Sequence, residues 1–317
     1  MTTRSRVTAV PGHRFPFFHP AFFYTGPDSY REGVGGFVRD AVADGRPVLV
    51  AVPGPRLALL QGFLGPARAD VTWEDMTRAG RNPGRILSLI QQFADRADGA
   101  RVSIVGEPIW VGRTPAEALE ATRHEALINV AFAGREADIL CPYDTALPAD
   151  VLDRAHRTHP FVGGPGPYRP STRYTDPHKV CRDLDHPLPE PRDAVSLAFD
   201  VDTLGRTRDA ASAWAQAAGL TYSRRADWLL AVGEALSNSV RHGGGRGVLR
   251  MWCEDRSVIA EISDQGRLAD PLTGRRRPDP FAPNGGRGMW IIHQLCDLVE
   301  VRATEQGLVL RLHLETA

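Results

Sequence analysis

In the first half of the chain, short apolar runs alternate with segments in which apolar residues recur every three to four positions. The runs at 47–53, 101–106 and 137–141 are bounded by charged residues or turn formers, which is typical of buried strands. Ser, Thr or Pro opens several of the intervening segments, which predicts helices. We expect these helices at 29–44, 55–63, 85–98, 114–132 and 148–158. Alternating strands and helices predict a doubly wound, parallel α/β sheet.

The second half has a different order of elements. A strand pattern at 195–201 is followed by two helical patterns, at 203–218 and 223–242. The remaining patterns are strands at 247–253 and 258–263, a short helix at 288–296, and closing strands at 298–303 and 308–314. This order predicts one sheet with helices on one face, which is an α+β two-layer sandwich.

Residues 163–192 separate the two halves and are rich in proline and glycine, with few aliphatic residues. Proline fixes the backbone and removes a hydrogen-bond donor without supplying a core face. We interpret this segment as a linker between a domain at 13–162 and a domain at 193–317. A chain of 317 residues fits two domains of ordinary size.

The charge balance bears on the class of partner. Lys and Arg together number 38, as do Asp and Glu, so the chain has no overall field that attracts nucleic acid or an anionic membrane. Residues 1–18 lack the apolar core of a signal peptide, and no stretch of about 18 apolar residues occurs, so we expect a cytoplasmic protein. The four cysteines lack CxxC spacing, which argues against a disulfide framework and a CxxC zinc site.

Polar residues recur with helical spacing in the segment 223–242. Glu234, Asn238 and His242 are each four residues apart, so they share a helix face and their functional groups can converge on one ligand. A solvated polar face that ends at a glycine C-cap remains an alternative. The apolar residues expected to pack on the sheet from the opposite side are Leu229, Val232, Leu236 and Val240.

Two glycine-containing segments follow this helix. Asp264 and Gly266 come directly after a strand pattern, where a carboxylate can accept a hydrogen bond from the exocyclic amine of a base and glycine lets a flat base approach. Residues 284–289 (NGGRGM) precede a helix, so backbone amides and a helix N-terminus are available to phosphates. Each segment by itself is common in proteins.

In this order and spacing, the three segments resemble the N box and the two glycine boxes of the GHKL superfamily of ATPases, which share the Bergerat fold. The resemblance covers residues 194–317. The form E-A-x-x-N-x-x-x-H-G most resembles anti-sigma factors that are also serine kinases. The resemblance therefore implies a domain that binds ATP with Mg²⁺.

The resemblance also implies roles for individual residues. Asn238 would ligate Mg²⁺, and Glu234 would act as general base or position the attacking group. Asp264 would accept a hydrogen bond from the adenine amine, and His242 would support the N box or the lid, or cap the helix. Leu268 stands where many relatives have a second glycine. The glycine-box residues implied at the base and the phosphates are Gly266, Gly286, Arg287 and Gly288, with Arg287 contributing charge or facing water.

The first half resembles the MEDS sensory domain, which occurs with regulators of methanogens, methylotrophs and actinobacteria. The resemblance runs from 13 to 162 and implies that this domain senses a small-molecule signal of unknown identity. The order of strand, glycine loop and helix near residue 26 is RecA-like, but no GxxxxGKS or GxxxxGKT occurs, so we expect a RecA-like domain without a P-loop. The segments that carry the resemblance are 81–85 (RNPGR), 106–108 (GEP), 124–129 (HEALIN), 141–144 (CPYD) and 159–160 (HP).

Several polar residues of this domain have more than one interpretation. Glu125 and Asn129 are four residues apart on a helix and form either a satisfied polar stripe or part of a ligand site. Cys141 follows an apolar strand and is interpreted as a core residue. His19 and His159 are interpreted as capping or packing residues, and metal binding together with Cys141 is the less favoured alternative.

Together these features predict a regulator in which a sensory domain controls a domain that binds ATP and Mg²⁺. The implied partner is a sigma factor, an anti-anti-sigma protein or both. The implied activity is phosphorylation of a serine on that partner. A homodimer is compatible with this interpretation. The alternative is a nucleotide-gated binding module without phosphoryl transfer. A histidine kinase is disfavoured, because the segment upstream contains only His178 and His186 among prolines rather than a helical hairpin.

Overall fold

The computed structural model describes residues 16–279 and 286–316. The chain divides into two compact units, Met1–Val180 and Cys181–Ala317. The division falls inside the segment 163–192 that we interpret as a linker. Among the described helices, none combines the length and the apolar content needed to cross a bilayer.

The first unit is built around a sheet that is mostly parallel. Its strands are β1 (Phe17–Phe18), β2 (Pro20–Tyr24), β3 (Val48–Val52), β4 (Val71–Asp75), β5 (Val102–Gly106), β6 (Ala137–Asp144), β7 (Phe161–Gly163) and β8 (Arg169–Pro170). Its helices are α1 (Gly26–Ala43), α2 (Gly54–Leu64), α3 (Met76–Ala79), α4 (Ile86–Asp95), α5 (Pro115–Ala131) and α6 (Ala149–Thr158), and α7 (Pro177–Asp183) crosses into the second unit. The strand order is β4-β3-β5-β6-β2-β7-β8, with β1 also paired to β6. Only β8, antiparallel to β7, departs from parallel pairing among these strands.

Helices cover both faces of this sheet. Helices α1 and α2 pack on one face. A Cβ on Gly33 of α1 would lie 2.1 Å from the ring of Phe22, so glycine allows the close approach of α1 to β2. Leu140 points towards that face and its neighbour Cys141 points away, towards Glu125 of α5. The parallel-rich α/β sheet expected from the sequence is confirmed.

The second unit is an antiparallel sheet with helices on one face, as predicted. The strands are β9 (Val195–Asp200), β10 (Arg246–Glu254), β11 (Ser257–Asp264), β12 (Leu298–Thr304) and β13 (Gly307–Glu315), and the helices are α8 (Leu204–Ala217), α9 (Tyr222–His242) and α10 (Arg287–Leu295). The strand order is β12-β13-β11-β10-β9. Trp228, Val232 and Leu236 of α9 pack with Ile292 of α10 and Leu312 of β13 in one core.

One packing expectation for α9 is wrong. Leu229 was expected to pack on the sheet, but 39% of its surface is exposed. It follows Trp228, which is fully buried, and one residue further along a helix lies about 100° around the axis. The face that packs on the sheet is therefore centred on Trp228, Val232 and Ala235, and Leu229 lies outside it.

The end of the 163–192 segment lies on the outer face of this second sheet. Arg311 donates to the carbonyl of Pro189 at 2.7 Å, and Arg250 pairs with Glu190 at 2.7 Å. Both arginines also pair with Glu261, which is buried. These side chains alternate along their strands with the residues of the core, so they stand on the face away from the helices.

Candidate nucleotide-binding site

Helix α9 carries the first part of the candidate site. The hydroxyl of Thr221 caps its first turn by accepting from the backbone N–H of Arg224 at 3.4 Å, and Gly243 is the C-cap after the last helical residue, His242. A stripe of buried residues holds α9 against the sheet. Glu234 and Asn238 lie beside that stripe and are half-buried, so their polar groups remain accessible at the edge of the core.

The start of α10 lies directly against these two side chains. A Cβ on Gly288 would be 2.6 Å from Oε2 of Glu234 and 3.1 Å from Nδ2 of Asn238. A side chain at position 288 would therefore displace the ends of Glu234 and Asn238, whereas glycine leaves them in place. The helix begins after Gly286, which has a left-handed backbone with φ of +67°. The first turn of α10 therefore lies against Glu234 and Asn238 of α9.

This turn has the properties of an anion site. Gly286, the N-cap residue, has no side chain that could cap the turn, and the first backbone N–H groups of a helix have no partner within the helix. Gly286 and Arg287 are exposed, and the helix dipole adds positive potential at the same end. Phosphate groups fit the amides of this turn, and Asn238 offers an amide oxygen next to it for a hard cation.

A second part of the site is centred on Asp264, at the end of β11. Its carboxylate accepts hydrogen bonds from the hydroxyl of Ser239 and, at 2.7 Å, from the backbone N–H of Gly266. A Cβ on Gly243 would lie 2.4 Å from its carboxyl carbon. Each carboxylate oxygen has two lone pairs, so these bonds fix the orientation of Asp264 and leave capacity for an amine donor.

Sequence reasoning missed Ser239 and Gly243 as neighbours of Asp264. Ser239 is a polar residue on the otherwise apolar buried stripe of α9, and that departure from the apolar pattern is a signal for it. The structure places the side chain of His242 in solvent, at the last residue of α9, while its carbonyl lies close to Gly266. Residues 284 and 285 of the second glycine segment lie outside the described residues.

Two protein families match the chain. The family described as MEthanogen/methylotroph, DcmR Sensory domain matches residues 18–160, and the family described as Histidine kinase-like ATPase domain matches residues 197–314. The chain is a MEDS domain fused to a histidine kinase-like ATPase domain. The fused architecture expected from the sequence is thereby confirmed. The candidate site lies within the ATPase domain.

Among solved structures, the chain is similar to the crystal structure of the RsbU and RsbW domains of Rv1364c from Mycobacterium tuberculosis. The two chains share 18% identity over 39% of this chain and 33% of that one, with a TM-score of 0.31. The match thus spans about a third of the length of that protein. No curated protein matches the chain.

The MEDS domain has a buried polar group of its own at the end of β5. Glu107 accepts hydrogen bonds from the hydroxyls of Tyr24 at 2.8 Å and Tyr30 at 2.9 Å, and Arg56 lies over both rings. Burial raises the pKa of Glu107 to about 7, although both hydroxyls oppose this shift. The segment 106–108 therefore contains a carboxyl group that changes charge near neutral pH.

Proposed function

We propose that the ATPase domain binds ATP with Mg²⁺ and thereby controls its interaction with a sigma factor or an anti-anti-sigma protein. The observation that carries the proposal is the contact of Gly288 with Glu234 and Asn238. It joins a polar helix face to the turn where a phosphate would lie. The family of the domain supports nucleotide binding.

Each part of the site has a defined task in this proposal. The amide oxygen of Asn238 holds Mg²⁺, and the backbone amides from Gly286 to Gly288 hold the phosphates. Asp264, oriented by Ser239, accepts from the adenine amine. ATP supplies the phosphoryl group, and Mg²⁺ offsets its negative charge.

The proposed activity is phosphorylation of a serine on the partner protein. Oε2 of Glu234 lies beside Gly288, at the phosphate-binding turn, and would accept the proton of the partner's hydroxyl. Glu234 is only half-buried, so a segment of another protein can reach it. Arg287 stands in the same turn, where its positive charge would assist phosphate binding. In this proposal a signal at the MEDS domain sets the activity.

The test uses the full chain, Mg²⁺ and radiolabelled ATP with a panel of sigma factors and anti-anti-sigma proteins from the host. We expect transfer to a serine of one of them by the wild type and by Glu305→Gln, a substitution in an exposed turn, but not by Glu234→Gln. Partner binding that depends on ATP without any transfer would instead support the non-catalytic module. Calorimetry showing no ATP binding in the presence of Mg²⁺ would overturn the proposal.

A further inference from the structure

A separate cluster of reactive side chains lies inside the MEDS domain. His19 precedes β2, Glu125 lies on α5, Cys141 lies in β6 and His159 directly follows α6. One ligand atom from each residue lies within 4.8 Å of the others. All four residues are at most 1% exposed. Four separate parts of the chain thus bring two imidazoles, a thiol and a carboxylate together in the interior.

Four of the six separations between these atoms are close to those of ligands around a metal ion. Oε2 of Glu125 lies 3.3 Å from Nε2 of His19, 3.3 Å from Nε2 of His159 and 3.2 Å from Sγ of Cys141. The Cys141 sulfur lies 3.4 Å from Nε2 of His19. Tetrahedral zinc with bonds of about 2.0 to 2.3 Å places neighbouring ligand atoms about 3.3 to 3.8 Å apart. The cluster therefore has nearly the size of a tetrahedral metal site.

The outer nitrogens of both rings are held by hydrogen-bond acceptors. The side-chain nitrogen of Asn129 donates to backbone carbonyls, including that of Thr158 at 2.8 Å, so its oxygen faces Nδ1 of His19 at 3.0 Å. Nδ1 of His159 lies 2.9 Å from the carbonyl of Ala155, which can only accept. Both Nδ1 atoms therefore face acceptors and carry hydrogen, and the Nε2 atoms are the ring nitrogens directed at Glu125 and open to a metal ion.

A metal ion among these atoms would be attracted by both Nε2 atoms and by the carboxylate. Two imidazole lone pairs and a carboxylate repel one another when no positive charge lies between them, and burial from water strengthens that repulsion. Within the described part of the chain, Nε2 of His159 and Oε1 of Glu125 are buried without a hydrogen bond. Histidines that bind metals commonly donate their other ring nitrogen to a carbonyl or amide oxygen, as His19 and His159 do.

We propose that His19, Glu125, Cys141 and His159 form a four-coordinate site for a divalent transition-metal ion, with Zn²⁺ as the expected occupant. Nitrogen and sulfur ligands disfavour Mg²⁺ and Ca²⁺, which take oxygen ligands. One thiolate and one carboxylate balance the charge of Zn²⁺, so the occupied site is neutral in the interior. Four protein ligands leave no position for a reacting water, which indicates a structural or regulatory ion.

The occupied site would hold helices to the sheet. Strands β6 and β2 are neighbours in the sheet, and Cys141 lies opposite Ala21 in their register. His19 directly precedes β2, so both Cys141 and His19 are held by these two strands. Glu125 lies on α5, and His159 directly follows α6. Metal binding at this point would couple the positions of α5 and α6 to the strands, and loss of the ion would loosen all four elements together.

The test measures metal in the full chain, purified without chelator and dialysed against Zn²⁺. We expect one zinc ion per chain by mass spectrometry, and loss of most of it in Cys141→Ser and in His19→Ala. The matched control is Cys296→Ser, which alters an equally buried thiol in the ATPase domain and should keep the zinc. Circular dichroism of the metal-free variants separates loss of ligand from loss of fold.

A second measurement needs no variant. Replacement of zinc by Co²⁺ in the wild type should give the visible absorption of a tetrahedral ion and a thiolate-to-cobalt charge-transfer band. Addition of a chelator to the zinc-loaded chain should lower its melting temperature. Wild-type protein that takes up neither Zn²⁺ nor Co²⁺ overturns the proposal, as does a Cys141→Ser variant that keeps both the full zinc content and the charge-transfer band.

Discussion

Gly288 and Glu234 are so close that a Cβ on residue 288 would lie 2.6 Å from Oε2 of the glutamate. The same Cβ would lie 3.1 Å from the side-chain nitrogen of Asn238. Gly288→Ala would therefore push both polar groups away from the phosphate-binding turn. We expect its affinity for ATP with Mg²⁺ to fall at least about ten-fold, which is about 1.4 kcal/mol, measured by calorimetry on the full chain.

Gly205 provides the control for this substitution. It is the second residue of α8, as Gly288 is of α10, and a Cβ there would meet nothing within 4 Å. Gly205→Ala should therefore leave ATP binding unchanged and raise stability by up to about 1 kcal/mol. If Gly288→Ala binds ATP as the wild type does, α9 and α10 do not form a single site.

Asp264→Asn should weaken ATP more than GTP. An asparagine can place its oxygen on the N–H of Gly266 and its nitrogen on the hydroxyl of Ser239, so the local structure should persist. The amide then presents a donor where the carboxylate accepted from the adenine amine. A lost hydrogen bond to a charged group costs about 1.5 to 3 kcal/mol, so we expect ATP affinity to fall ten-fold or more in a titration.

The control for the Asp264→Asn variant is Asp255→Asn. Asp255 lies in the turn between β10 and β11 with φ of +50°, a conformation that asparagine also adopts readily. The control should bind both nucleotides as the wild type does. Equal ATP affinity of Asp264→Asn and the wild type would remove Asp264 from the base site.

The order of the elements could be predicted from the sequence, since both sheets follow from apolar periodicity and turn residues. Strand β4 could not, because it is an edge strand in which only Val71 is buried and polar residues occupy most other positions. The start of α1 was placed at residue 29 rather than Gly26, although a proline in the first turn favours the earlier start.

The two candidate sites differ in how far sequence could reveal them. Glu234 and Asn238 stand one helical turn apart, so periodicity alone brings them together. The buried cluster draws on positions from His19 to His159, and no local spacing predicts that strand pairing and helix packing bring those residues within contact. Its members were identified as individual residues, but Glu125 was not grouped with the two histidines and the thiol.

Glu107 should make the stability of the MEDS domain depend on pH. Burial raises the pKa of this carboxyl from an ordinary value of 4.5 to about 7, so the folded state binds the proton more tightly than the unfolded state. Its stabilising contribution is present below pH 4.5 and is lost as the pH rises through 7. Compared with Glu107→Gln, the wild type should lose about 2 to 3 kcal/mol of unfolding free energy between pH 5 and pH 8.

Urea unfolding of both proteins at several pH values measures this difference. Gln carries no charge and can still accept from one tyrosine and donate to the other, so the variant should fold. The exposed Glu32→Gln serves as control and should follow the wild type at every pH. Parallel pH profiles of the wild type and Glu107→Gln would show that Glu107 does not titrate in this range.

Asn238→Ala separates nucleotide binding from folding. Asn238 is half-buried in the middle of α9, where alanine has the higher helix propensity, so the substitution should leave the nucleotide-free melting temperature unchanged or slightly raised. If its amide oxygen holds Mg²⁺, the same substitution should abolish the stabilisation by ATP that depends on Mg²⁺. At an ATP concentration 100-fold above Kd, that stabilisation is about 2.7 kcal/mol for the wild type.

The decisive comparison is the ATP-induced shift in melting temperature of wild type, Asn238→Ala and Asn238→Asp, each with Mg²⁺ and with EDTA. Aspartate also offers an oxygen ligand to Mg²⁺, so Asn238→Asp should keep part of the shift that Asn238→Ala loses. EDTA should reduce the wild-type shift to that of the alanine variant, because both remove the same metal contact. A full Mg²⁺-dependent shift in Asn238→Ala would mean that another group holds the metal, and Glu234 would then be the next ligand to test because it also contacts Gly288.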